Sequence, residues 1–113
     1  MSRFIIINFP VFSDYCVHVE ITSNLHKSIS KYPACQSDGD FCEEHSDALT
    51  IGTQEMSFIF LKRHVDAGTI AHEACHAVRN LLDTMGVGRD SETHAYHVGY
   101  VVNKITKFKG RRT

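Results

Sequence analysis

The chain has no hydrophobic run long enough to cross a bilayer. Its most apolar stretch, Phe4-Ile5-Ile6-Ile7-Asn8-Phe9, stops at Pro10, far short of the ~20 apolar residues that a spanning helix needs. The same stretch lacks the longer apolar region and small-residue cleavage site of a secretory signal, so cytoplasmic residence is the expectation. Charge of one sign is scarce as well. Twelve Lys and Arg against 13 Asp and Glu leave a formal net charge of −1, which gives no global pull toward nucleic acid or a membrane surface. The basic end made by Lys104, Lys107, Lys109, Arg111 and Arg112 has no aromatic stacking platform and no second basic patch beside it. It reads as a solvated, flexible tail from about residue 107. Cysteine is limited to Cys16, Cys35, Cys42 and Cys75, too few and too unevenly spaced for a disulfide framework. Cys35, Cys42 and His45 fit no standard zinc-knuckle spacing and read as loop residues. Repeats and low-complexity segments are lacking. What remains, 113 residues with 42% hydrophobic and 22% charged, is one ordinary globular domain spanning residues 1–113.

Three segments read as strands. Phe4 to Phe9 is a continuous β-branched and aromatic run, which predicts a buried strand. Tyr15 to Ile21 alternates, with Tyr15, Val17, Val19 and Ile21 on one face and His18 and Glu20 on the other, solvated one. Met56 to Lys62 is the third. Between the second and third, Thr22 to Tyr32 reads as a helix capped by Ser23 or Asn24 and stopped by Pro33, and Pro33 to Asp47 as a polar loop.

The decisive feature comes next: His72-Glu73-Ala74-Cys75-His76, an H-E-x-x-H pentapeptide. With 8 His in 113 residues, chance supplies such a match roughly 0.03 times. The pentapeptide lies in an amphipathic helix that Asp66 can cap and Gly86 and Gly88 can end. At 100° per residue, His72, His76 and Glu73 fall near 0°, 40° and 100°, while Ile70, Ala74, Ala77, Val78, Leu81 and Leu82 fall between about 140° and 280°. Two imidazoles one turn apart can bind one Zn²⁺, and the Glu beside them can act as general base on a water.

A second helix starts at Asp90 or Ser91. On its wheel, Gly99, Ala95, Val102, Val98 and Ile105 form the expected inward stripe, with Glu92 at one border and Tyr96 beside it. His97 falls on the wetter side and His94 at the far edge from Glu92. Ala95 and Gly99 are small enough to let two helices approach, so Glu92 is the expected third ligand. Asp90, His94 and His97 are lesser candidates, read more simply as a cap and as surface groups.

His72-Glu73-x-x-His76 followed by Glu92-x-x-Ala95-Tyr96 resembles the gluzincin type of zincin, closest to the very small members met in bacterial and phage genomes. The resemblance covers about half the chain, from Ser57 to Ile105. Arg79 and Leu82 stand where the extended metzincin motif has Gly and a third His, so that subclass is excluded. Only residues 77–91 separate His76 from Glu92, which leaves no room for a large helical subdomain. The resemblance implies an α+β, reduced zincin-like fold: a small, mostly antiparallel sheet packed on the H-E-x-x-H helix, and a C-terminal helix carrying the third ligand. It implies zinc on His72, His76 and Glu92, catalysis by Glu73, and a peptide or protein substrate; Tyr96, which matches no motif position, could donate a hydrogen bond to the developing oxyanion. It also implies that the strand just before the motif helix borders the cleft, where an extended substrate could add alongside it. The expected activity is that of a zinc metallopeptidase. The alternative is a catalytically weak or inactive relative that binds and modulates a partner protein around a structural zinc.

Overall fold

In the computed structural model, residues 2–36, 47–88 and 90–111 are described. The architecture is α+β. Strand β1 (Arg3–Asn8) turns back into β2 (Cys16–Ile21), followed by the short helix α1 (Leu25–Ile29) and one 3-10 turn at Pro33–Cys35. A hairpin of β3 (Ala48–Gly52) and β4 (Met56–Leu61) leads to two long helices, α2 (Ala67–Met85) and α3 (Ser91–Gly110). The sheet order is β1-β2-β4-β3, with β1/β2 and β3/β4 antiparallel and the central β2/β4 pair parallel.

Each face of the sheet is covered differently. One face carries Ile7, Val17, Val19, Ile59 and Leu61 against Ala74, Ala77, Val78, Leu81 and Leu82 of α2 and Val101 and Ile105 of α3. The other face carries Phe58 and Phe60 against Leu25 and Ile29 of α1 and against Cys35. A parallel central pair needs both faces covered, and the continuous apolar run of β4 meets that need. Removing one of the fully buried leucines of α2 should cost about 2–5 kcal/mol.

Several expectations change at this level. β1 is an edge strand, not a buried one: Ile7 points into the core, but Phe4 is 55% and Ile6 43% exposed on the face that α1 covers only in part. A run of β-branched residues reports strand formation and says little about depth. α1 is shorter than the Thr22–Tyr32 stretch, beginning after Asn24, whose side chain caps the Lys27 N–H at 3.0 Å. The strand just before the motif helix, β4, lies in the interior of the sheet, and the edge strand beside α2 is β3. The basic end is helical as far as Gly110, and Lys109 donates to the carbonyls of Arg63 (2.7 Å) and Val65 (3.4 Å). Of the residues weighed as a second metal site, Cys35 is buried, while Cys42 and His45 lie outside the described residues.

His18 and Glu20 differ most from expectation. Both are buried, Glu20 completely. Glu20 Oε1 accepts from Tyr32 Oη at 2.5 Å and lies 3.1 Å from His18 Nε2, while the Lys31 ammonium stands 3.0 Å from Oε2. Alternation along β2 identified the two faces correctly, but α1 and the turn after it close over the polar one.

Candidate metal centre

Helix α2 is built where the sequence places it. Asp66 accepts the Thr69 N–H at 2.8 Å, and Gly86 ends the helix at φ +72°, a left-handed conformation that glycine adopts without strain. The helix lies close against the edge strand. A Cβ on Gly52 would collide with the end of the Asn80 side chain, so glycine is what lets Asn80 lie over the strand in this position. Under the contact, Asn80 Nδ2 donates to Ser57 Oγ (3.4 Å), which bonds Tyr15 Oη (2.7 Å), which in turn donates to the Thr53 carbonyl (3.3 Å). That chain ties α2 to β4 and to the turn of the β3/β4 hairpin.

The apolar stripe of α2 turns His72 and His76 outward, and both are exposed. Their Nε2 atoms are 3.2 Å apart, with the rings edge-on at 79°. Two nitrogens each ~2.0–2.1 Å from a tetrahedral zinc would stand roughly 3.3–3.4 Å apart. The pair therefore fits two positions of such a site with little rearrangement. Glu73 turns the other way round the helix toward the sheet and is buried. Its Oε1 accepts from Thr50 Oγ1 of β3 at 2.6 Å, and the same hydroxyl lies 3.3 Å from the Glu73 carbonyl. Thr50 is a residue of the candidate site with only a faint sequence signal. Leu49-Thr50-Ile51 before Gly52 was its available signal, a short β-branched run one tight turn ahead of a clear strand.

The structure does not bring Glu92 to the histidines. The contact of Lys109 with Arg63 and Val65 puts the end of α3 beside the start of α2, so the two helices run antiparallel. Glu92 then lies near the C-terminal end of α2, and the nine residues from His76 to Met85 correspond to about 13 Å along the axis. Its direction is unfavourable too. The buried residues of α3 are His97, Val101, Ile105 and Phe108, an arc of about 80° centred opposite Glu92. Ala95 and Gly99, expected at the helix contact, are exposed. Tyr96 is 59% exposed on the same outward side.

The inward positions go to histidine because aromatic rings receive it. His97 packs against Phe9 and Phe12, and its Nδ1 donates to the Thr93 carbonyl at 2.8 Å. That fixes the proton on Nδ1 and leaves Nε2 buried without a hydrogen bond, as is His94 Nε2. Asp90 is the N-cap of α3, accepting from Thr93 N and Oγ1 at 3.0 Å each, and these bonds hold its carboxyl below the ordinary range. Among the described residues, no three His, Cys, Asp or Glu side chains gather into a group that could hold a metal ion.

No protein-family model matches the chain, and no curated protein or solved structure is significantly similar to it.

Proposed function

We propose that the chain is a zinc-dependent metallohydrolase of the H-E-x-x-H kind, acting on peptide bonds in the cytoplasm. The observation that carries this reading is the 3.2 Å separation of the two Nε2 atoms on the outward face of α2. His72 and His76 would hold the ion, and a zinc bound there would supply a Lewis acid that polarises a carbonyl and lowers the pKa of a water. Thr50 Oγ1 donates to Oε1 of Glu73, and the other carboxylate oxygen would have to turn toward the metal to serve as the base. Glu73 takes a proton from the attacking water and delivers it to the leaving amine nitrogen as the amide C–N bond breaks. Glu92 and Tyr96 have no place in this version of the site, because α3 turns them away from it.

The test is Glu73→Gln. Zinc content should be kept, because Glu73 is not a ligand, while peptide hydrolysis in a library digest should fall on the order of 10²–10⁴-fold. Full activity in the variant would reject the assigned base.

A second reading is favoured by one specific observation, the burial of the Glu73 carboxylate on the sheet side of α2, where Thr50 Oγ1 donates to it at 2.6 Å. In it, the protein binds and modulates a partner protein, and its metal is structural. A partner retained uncut by both wild type and Glu73→Gln supports that reading, and one cut only by wild type supports catalysis.

A further inference from the structure

On the sheet face away from the histidine pair, a half-open cavity of about 350 Å³ lies between the start of β1 and helix α1. Its lining residues include Ser2, Ser23, Lys27 and Lys31, with no acidic side chain, and the aliphatic parts of these side chains make up much of its wall. Lys31 is held in place at its wall. The ammonium stands 3.0 Å from the buried Glu20 carboxylate and donates to Ser2 Oγ at 3.2 Å, which leaves one of its three N–H groups uncommitted. Ser2 Oγ accepts from Lys31 and retains its own proton to donate. The Glu20 carboxylate offsets the charge of Lys31, so Lys27 carries the uncompensated positive charge of the cavity. Thr22 and Ser28 brace the floor. Ser28 Oγ donates to Thr22 Oγ1 at 2.7 Å, and Thr22 Oγ1 accepts the Asn24 N–H at 3.1 Å.

We propose that this cavity binds a small phosphate-bearing anion between Lys27, Lys31 and Ser2. A phosphate group offers several acceptor oxygens and close to two negative charges at neutral pH, matching the uncompensated Lys27 ammonium and the N–H and O–H donors of Lys31 and Ser2. The volume exceeds that of inorganic phosphate alone, so a phosphate monoester with a short polar body suits it better than the free ion. The site is independent of the histidine pair and its metal.

The experiment is an amide chemical-shift titration of the metal-free full chain with inorganic phosphate and with glycerol phosphate, at ionic strength matched by sodium chloride. Shifts should concentrate at residues 22–31 and at Ser2, with the monoester binding more tightly. Lys27→Gln removes an exposed ammonium and should weaken binding about tenfold, while Lys27→Arg should largely preserve it. Shifts spread over the surface, or equal responses of wild type and Lys27→Gln, would overturn the proposal, and so would no shift at tens of millimolar phosphate. A stronger response to inorganic phosphate than to the monoester would overturn the assignment of ligand size.

Discussion

Two regions of this molecule pair histidine with glutamate, and they behave oppositely. On α2, His72 and His76 are exposed and converge on one point, while Glu73 is buried against Thr50. On β2, His18 and Glu20 are both buried and engage each other, Tyr32 and Lys31. Spacing explains the difference. Residues four apart on a helix stack on one face and can share a ligand from outside, whereas residues two apart on a strand share a sheet face that another element covers. The first region has coordination capacity to spare. The second has satisfied its own charge and contributes to the fold.

The largest effect that would sharpen this contrast is Glu20→Ala. It leaves His18 and Tyr32 without their common acceptor inside the protein, and should cost about 3–5 kcal/mol in denaturant unfolding. The same group predicts acid sensitivity. Burial alone pushes the Glu20 carboxyl up, but hydrogen bonds from Tyr32, Lys31, His18 and Ser28 outweigh it and hold the group at about 2. A carboxyl held low contributes stability above its ordinary value, and that contribution is lost as pH falls toward about 2. Wild type should therefore lose on the order of 3 kcal/mol between about pH 5 and pH 2 from this group, and Glu20→Gln should lack that part of the slope. A wild-type slope unchanged in Glu20→Gln would mean that the cluster is not what holds the second face.

Smaller effects test the helix side. Gly52→Ala should cost about 1 kcal/mol, because the new methyl displaces the Asn80 side chain from its bond to Ser57. A neutral result would show that the Asn80 bond to Ser57 adds little to the stability of this contact. Thr50→Val keeps the shape of the side chain and removes the donor to Glu73, so it should cost about 1 kcal/mol in stability, with Thr50→Ser restoring most of it. If Thr50→Ser is no better than Thr50→Val, the hydroxyl is not the important part of that residue.

What the sequence made legible follows the same physics. Helix α2, its Asp66 cap, its Gly86 stop and the outward histidine face were all readable, because a period of 3.6 and end signals are local properties. The Asp90 cap of α3 was readable for the same reason. The inward face of α3 was not. Its wheel offered small and branched apolar residues in one direction, and the structure instead buries His97 under Phe9 and Phe12, which come from a distant part of the chain. Once that face rotated, Glu92 went with it. The burial of Glu20 was hidden in a similar way, since its partners Tyr32 and Lys31 reach it only after α1 has folded across the sheet.

Zinc stoichiometry in three proteins purified without added metal and then dialysed against zinc tests the central claim most directly. The account predicts one zinc per wild-type chain, its loss in His76→Ala, and its retention in Glu92→Ala. A wild type that takes up no zinc would contradict it, as would a Glu92→Ala variant that loses the metal along with His76→Ala.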